Sequence, residues 1–327
     1  MVNKLLEFND RGIYCPLADI YIDAWKPVEK VIVSHAHADH SRFGHKFYLA
    51  HNYSVPIMKH RLGNINVEGK NWGEKFTING VHFSLHPAGH VIGSSQIRVE
   101  YKGEVWVYSG DYKRENDNLS TPFELIKCDT FITECTFGLP AFKWKDQNLV
   151  FKEINSYWKE CKANNQTAVI FAYSLGKAQR LIANLDLSIG QIFTHGAVEN
   201  INEVIRNYKN LPQTQRITKN TKKEDIIGNL VIAPPSTNGT SWLKKMVPYV
   251  TSSTSGWMTF RGARRRRAID RGFVLSDHCD WNDLIKTIKQ TNAENIICTH
   301  GYKEIFSKYL NEIGYNAFIE NTPFEEK

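Results

Sequence analysis

Six consecutive residues, His35-Ala36-His37-Ala38-Asp39-His40, constrain this chain more than any other stretch, because four of the six can ligate a metal. They follow Val31, Ile32 and Val33, a β-branched run that predicts a short buried strand. On extended backbone, side chains two apart share a face, so His35 and His37 can point at one cation. Asp39 and His40 lie just beyond, where the chain must turn, and can point at a second cation beside the first. Neutral imidazoles and a carboxylate suit zinc or manganese.

The rest of the chain repeats this pattern of ligand-type residues at predicted strand ends. Upstream, Leu5–Phe8, Ile20–Asp23 and Lys30–Ser34 read as strands; Asp23, ending one of them, is placed either to orient a ligand histidine or to cap a turn. Ser54–Leu62 reads as a short helix. Two hairpins follow, around Asn79-Gly80 and Lys102-Gly103. Between them lies PAGHVIGS, with His90 flanked by glycines that let the backbone approach something closely. The second hairpin ends in Ser109-Gly110-Asp111, and Asp129–Glu134 is a strand that again ends in a carboxylate.

Near residue 145 the character changes from hairpins to alternating helix and strand. Gln147–Lys162 carries Phe151, Ile154, Trp158 and Cys161 at helical spacing. Thr167–Ala172, Ile192–Thr194 and Asn229–Ala233 read as strands, with helices over Leu175–Leu185 and Val198–Tyr208. This alternation predicts a small α/β domain with a parallel sheet. After an arginine-rich run, Gly272–Ser276 reads as a strand leading to Asp277-His278-Cys279-Asp280, with Asp280 as the cap of the helix Trp281–Gln290. Asn295–Thr299 is a strand ending at His300-Gly301, and Tyr302–Ile313 a last helix.

The net charge of +7 is largely local: six arginines less one aspartate, Arg261, Arg264, Arg265, Arg266, Arg267 and Arg271 less Asp270, contribute +5. Such a patch points to a polyanionic partner, or else to an exposed helix charged for solubility. No apolar run approaches the roughly 18 residues of a membrane span, and the first ten residues lack a signal peptide's apolar stretch. The six scattered cysteines form no CxxC pair. A cytoplasmic, reducing location is expected on these grounds.

The candidates add up to a two-metal site. One cation would take His35, His37 and His90; the other would take Asp39, His40 and His300; the two oxygens of Asp111 would bridge them. Two such cations at roughly 3.5–4 Å can hold a hydroxide nucleophile between them and clamp a scissile phosphate. His278 is then left over, and can serve as the general acid that protonates the departing alkoxide. Glu134 can hydrogen-bond that histidine and fix its tautomer.

These motifs, in this order, resemble the metallo-β-lactamase superfamily and, within it, the β-CASP nucleases. His35 to His40 match the superfamily's His-x-His-x-Asp-His, His90 its next histidine and Asp111 its bridging aspartate. Glu134 in FITECTFG, His278 in LSDHCDW and His300 in THG match the three β-CASP motifs. The stretch SGWMTFRGARRRRAIDRGFVLSDHCDW looks most like the bacterial ligase-associated DNA exonuclease family, relatives of the Artemis type. The resemblance implies an α/β fold: a four-layer αββα core from 1–141 and 272–327, with an α/β β-CASP domain inserted over 142–271. It further implies a DNA exonuclease that processes single-stranded or duplex ends in repair, linked to an ATP-dependent DNA ligase and a helicase. The metal site would lie in a cleft between domains, with Arg261, Arg264–Arg267 and Arg271 contacting phosphates there without reading sequence. Ser174 and Lys177, at a helix N-terminus, are further phosphate-binding candidates. A histidine in the third motif, as His300 provides, is shared with RNA-processing β-CASP enzymes, so a ribonuclease is the competing expectation.

Overall fold

The structure is a computed structural model that describes residues 4–266 and 268–322, the side chains of Ala263 and Arg264 excepted. Its described residues fall into two compact units, one of residues 4–116, 120–143 and 278–322, the other of 117–119, 144–266 and 268–277.

In chain order the first unit opens with strands β1 (Glu7–Phe8), β2 (Ile13–Cys15), β3 (Ile20–Ile22), β4 (Lys30–Ile32) and β5 (Phe47–His51), helix α1 (Val55–Leu62), and strand β6 (Val67–Lys70). It continues with β7 (Phe76–Ile78), β8 (Val81–Pro87), β9 (Ser95–Tyr101), β10 (Glu104–Tyr108) and β11 (Thr130–Glu134). The second unit supplies α2 (Gln147–Ala163), β12 (Thr167–Phe171), α3 (Lys177–Asn184), β13 (Ile192–Thr194), α4 (Gly196–Arg206), β14 (Gln215–Arg216), α5 (Lys223–Ile226) and β15 (Leu230–Ala233). After these come α6 (Ser241–Lys244), β16 (Tyr249–Thr254), α7 (Arg261–Arg266) and β17 (Arg271–Phe273). The chain then returns to the first unit with α8 (Trp281–Thr291), β18 (Asn295–Thr299), α9 (Lys303–Glu312) and β19 (Asn316–Ile319).

Strands β1 to β6 form one sheet in sequence order, and β19-β18-β11-β10-β9-β8-β7 form a second. Alternation along each strand sends one face of both sheets into a shared core: Ile13, Ile20, Ile22, Ile32 and Leu49 meet Phe83, Leu85, Ile97, Val99 and Ile132. The opposite face of the second sheet, through Val107, Phe131, Ile296 and Cys298, packs on Trp281, Leu284 and Ile288 of α8 and Phe306 and Leu310 of α9. Helix α1 buries Ile57 and Met58, with Pro56 in its first turn and Gly63 ending it. The result is the expected αββα layering. The two hairpin turns take the geometry their sequences demand, with positive φ at Asn79 (48°), Gly80 (83°), Lys102 (50°) and Gly103 (89°).

The second unit is a six-stranded all-parallel sheet in the order β14-β13-β15-β12-β16-β17. All five residues of β12 are buried, as a strand covered on both faces requires. The Ser/Thr-rich Tyr249–Thr254, which has no apolar periodicity, is nonetheless an interior strand. Two of its hydroxyls are satisfied by the neighbouring strand, Ser252 donating to the Val169 carbonyl at 2.9 Å and Thr254 to that of Phe171 at 3.3 Å, and Thr251 donates to the Asp270 carboxylate at 2.7 Å. Strand β17 pairs with β16, so Arg271–Phe273 belongs to this sheet rather than opening the return to the first unit.

Two sequence-stretch glycines serve different purposes. Gly80 sits at the hairpin tip, where a Cβ would meet nothing within 4 Å; at Gly89 (φ 74°) it would lie 2.2 Å from the Lys113 carbonyl oxygen. Gly80→Ala should therefore cost only the strain of positive φ, about 1–2 kcal/mol. Gly89→Ala adds an overpacking penalty of about 1–3 kcal/mol on top of that. Urea denaturation of both variants checks this: equal losses would show that the PAGHVIGS backbone is not tightly enclosed.

Candidate metal centre

Parallel pairing decides where the candidate residues go. Strands β3 and β4 run parallel, as do β10, β11 and β18, so within each set the carboxyl ends lie along one sheet edge. Asp23 follows β3, His35 to His40 follow β4, Asp111 follows β10, Glu134 ends β11 and His300 follows β18. The turn after β4 is held by Ser41 N donating to the His37 carbonyl at 2.8 Å and by the Arg61 guanidinium donating to the Ala36 carbonyl. His90 is brought in by its own loop, in which the Ser94 hydroxyl accepts from the backbone N–H groups of both His90 and Val91.

His35, His37, His90 and Asp111 each offer a ligand atom within 4.8 Å of the others. His37 Nδ1 lies 3.0 Å from His35 Nε2 and 3.1 Å from His90 Nε2. Asp111 Oδ2 lies 3.5 Å from both His35 Nε2 and His40 Nε2 and 3.6 Å from His90 Nε2. Donors sharing one tetrahedral zinc at about 2.0–2.1 Å lie about 3.4 Å apart, so the set fits a cation. Asp39 Oδ2 is 3.6 Å from His40 Nε2, and the His40 and His300 rings are 5.9 Å apart. Those three residues, with Asp23, Tyr108 and Thr322, line a small cavity of about 10 Å³. This second group is looser than the first, and Asp39 is the most open of its members, with a side chain 48% exposed.

The outward-facing ring nitrogens of these histidines are tied down. Asp23, which sequence left divided between orienting a ligand and capping a turn, orients two. Its Oδ2 lies 2.7 Å from His40 Nδ1 and accepts from the Ser34 hydroxyl at 2.5 Å, while Ser34 Oγ is in turn 3.0 Å from His35 Nδ1. The Tyr108 hydroxyl also donates to it, at 3.0 Å. The Thr322 hydroxyl meets His300 Nδ1 at 3.2 Å. The bonds through Asp23 and Ser34 fix the Nδ1–H tautomer of His40 and His35 and turn their Nε2 lone pairs toward the cluster. Ser34, Tyr108 and Thr322 carry no sequence signal for this role, because their partners are set by the fold.

His278 stands beside this cluster, its ring 4.7 Å from that of His90. Its Nδ1 is 2.9 Å and 2.8 Å from the two Glu134 oxygens. Glu134 also accepts from Tyr112 N at 2.9 Å and from the Thr136 hydroxyl at 2.5 Å. Asp111, Glu134 and His278 lie close enough to one another to hold a cation themselves. The four hydrogen bonds already on Glu134 instead favour a carboxylate–imidazole pair. Burial pushes Glu134 up, but His278, Thr136 and the Tyr112 amide together hold it below the usual carboxylate range, so it is ionised.

The remaining phosphate-binding candidates are placed in the second unit. Arg261, Arg265 and Arg266 are exposed on α7. Arg264 lies on the same helix and Arg267 lies outside the described residues. Arg271 is forked onto Glu160 at 2.9 and 2.7 Å and covers the Tyr157 ring. Lys177 is not solvent-facing: it is buried with its ammonium 3.4 Å from Asp277. The Ser174 carbonyl accepts from Gln179 at 2.9 Å.

Residues 22–145 match the family model described as the metallo-beta-lactamase superfamily. The chain belongs to the metallo-β-lactamase superfamily. This member is 30% identical over 316 residues to a "Probable DNA ligase" of Opitutus terrae, an alignment that covers 94% of this chain and 30% of that protein. It therefore spans under a third of that relative's length. It is also similar to an "RNase J-like protein" of Methanocaldococcus jannaschii (26% identity, 84% of this chain, 82% of that one). An "Endoribonuclease YSH1" of Gibberella zeae matches at 29% identity over 37% of this chain and 14% of its own. A solved structure titled as a protein of unknown function from Enterococcus faecalis shares the fold, with a TM-score of 0.56 at 12% identity, covering 82% of this chain and 74% of that one. No helix among the described residues is long and apolar enough to cross a membrane.

The cluster's electrostatics give metal binding a pH dependence. Burial pushes His35 well below its ordinary value and His300 down to about 4, so both are neutral at pH 7 with lone pairs available. Burial also opposes a charge on His40, but the carboxylates of Asp111, Asp23 and Asp39 outweigh it and raise His40 to about 10. Without a cation, His40 therefore keeps a proton at neutral pH that a metal must displace. Affinity for zinc should rise with pH, about tenfold per unit for each proton released. Calorimetry in two buffers of different ionisation enthalpy reads that release directly; no proton release at pH 7 would contradict a protonated His40 in the metal-free site.

Proposed function

We propose that this superfamily member is a two-metal phosphodiesterase of the β-CASP type that acts on DNA ends. The observation that carries the reading is the convergence of three imidazole nitrogens on one buried carboxylate, Asp111, beside a His278–Glu134 pair. His35, His37 and His90 would hold one cation, Asp39, His40 and His300 the other, and Asp111 both. Zinc suits this donor set best, with manganese as the alternative. Divalent cations in such a site supply Lewis acidity toward a phosphoryl oxygen and water activated for attack at neutral pH.

The chain's own groups do the rest. Asp39, the most open carboxylate of the set, is placed to accept a hydrogen bond from the attacking water and orient it. Glu134 commits His278 Nδ1, so the proton available for transfer sits on Nε2. It passes to the departing oxygen as the P–O bond breaks. The inserted domain, 142–271, with Arg261, Arg265 and Arg266 exposed on α7, supplies cationic contacts for a phosphate backbone.

DNA is favoured over RNA because the DNA-ligase-named relative aligns with nearly the whole chain at 30% identity. The ligase in that relative's name supports a link to a DNA ligase; the role in end processing for repair, the helicase link and the cytoplasmic location are what the resemblance of the motifs implies. A ribonuclease is the second reading, favoured by His300 and by the RNase-named relative that aligns along most of both chains.

The deciding assay incubates the protein, with zinc or manganese, with end-labelled single-stranded DNA and RNA of matched sequence. Stepwise shortening of DNA by the wild type, lost in Asp39→Ala, is the expected result. Cleavage of RNA with DNA spared would replace the DNA reading by the ribonuclease one. Full activity in Asp39→Ala would remove the metal assignment.

A further inference from the structure

The carboxyl edge of the second unit's sheet holds a cavity that the chemistry above does not use. Its strands are parallel, and β15, β12 and β16 lie side by side. From β12 the chain passes β15 to reach β13; from β15 it passes β12 to reach β16. Neighbouring strands whose connections leave in opposite directions open a crevice at their carboxyl ends, the place where open parallel sheets take ligands. The cavity lies there, with a volume of about 410 Å³. That falls within the roughly 300–1,000 Å³ of small-molecule sites.

Phe171, Pro235 and Ile269 give the cavity an apolar wall. Polar groups come from Ser236 and Asn238, which follow β15, and from Ser253 in β16. Ser253 is 2% exposed. Its neighbours Ser252 and Thr254 donate to strand carbonyls, but the Ser253 hydroxyl has no hydrogen-bond partner among the described residues. A buried hydroxyl left unpaired is costly, so a polar atom of an occupant would stabilise it. Tyr173, also in the lining, is 62% exposed and presents an open aromatic ring, with the Lys177 ammonium 5.2 Å from its centroid. Among the described residues no acidic or basic side chain lines the cavity. Ile269 follows shortly after α7, on which Arg261, Arg265 and Arg266 are exposed.

These parts match a nucleotide piece by piece. A base is apolar on its faces and polar at its edges, a sugar is hydroxylated, and only the phosphate is charged. We propose that the cavity is a nucleoside pocket, taking the base and sugar of one nucleotide. The base stacks on Tyr173, the Ser253 hydroxyl and the Asn238 amide bond its edge or the sugar, and the phosphate stays outside the uncharged lining for arginines to meet. Every lining residue belongs to the second unit, and the pocket requires neither the metal ligands nor cleavage, so it goes beyond the nuclease reading. The same chemistry has two sources: a free mononucleotide, or one nucleotide within a bound strand.

Calorimetry on the zinc-loaded protein tests this with three probes. They are deoxyadenosine 5′-monophosphate, deoxyribose 5-phosphate, which lacks the base, and a short single-stranded DNA, titrated into an Asp39→Ala background to keep it intact. The variants are Tyr173→Ala, Tyr173→Phe and Ser253→Val, each with its thermal midpoint measured. Tyr173→Ala should weaken nucleotide binding on the order of 10-fold and Tyr173→Phe by less than about twofold, since the ring does the stacking. Ser253→Val should weaken it roughly 3- to 10-fold. Deoxyribose 5-phosphate should bind Tyr173→Ala as it binds the wild type. Losses for both the mononucleotide and the DNA would make the pocket a site for free nucleotides; losses for the DNA alone would make its occupant a nucleotide within a strand. The pocket is overturned if neither ligand binds saturably, or if Tyr173→Ala or folded Ser253→Val leaves both affinities unchanged. It is also overturned if deoxyribose 5-phosphate loses as much as the mononucleotide. Tyr173 is exposed, so its variants keep the test decisive should Ser253→Val fail to fold. A wild type that cleaves neither DNA nor RNA would remove the nuclease reading and leave the pocket standing.

Discussion

One buried oxygen organises the first unit. Asp111 Oδ2 lies 3.5–3.6 Å from nitrogens of His35 and His40, on the loop after β4, and of His90, on a second loop. A carboxylate so enclosed is pushed up to about 7 by burial, against the pull of His40. Packing such a group away from water is costly unless positive charge compensates it. In the metal-free protein that charge is the proton on His40; a divalent cation supplies more of it. The need to bring these groups together explains why parallel strands with ligand-bearing ends meet here, and why close-approach glycines such as Gly89 and Gly110 flank the loops that carry them.

The groups around this oxygen are arranged in depth. Asp23 holds His40 directly and His35 through Ser34, with Tyr108 as a third donor to the same carboxylate. Glu134 holds His278 in the same manner. In each case a carboxylate takes the Nδ1 side of a ring, or the relay to it, and leaves Nε2 for chemistry. Under the proposed function the same physical device would serve two purposes: lone pairs aimed at cations, and a proton aimed at a leaving group.

The parts of this arrangement that sequence reveals are those with local spacing. His35 to His40 announce themselves by alternation at a strand end, and the turns at Asn79-Gly80 and Lys102-Gly103 by their dihedral demands. Parts that depend on distant partners do not. Phe47–His51 is an interior strand of the first sheet, next to its edge, yet no clean alternation marks it. Tyr249–Thr254 reads as a polar stretch because its hydroxyls find carbonyl partners only once β12 lies alongside. Thr322 gives no hint that it meets His300. Lys177 at a helix start looks like a solvent-facing phosphate ligand, and only the fold shows that Asp277, a hundred residues on, takes its charge. Family resemblance carries the order of motifs and the αββα layering; the orienting shell has to be read from coordinates.

The central claim is that Asp111 is shared by two cations. The most direct measurement is elemental analysis of protein loaded with zinc and freed of unbound metal, for the wild type and for Asp111→Ala with its fold checked by circular dichroism. The account predicts two zinc ions per wild-type chain and at most one in the variant. A wild-type chain that retains one or none, or a variant that still retains two, would contradict it.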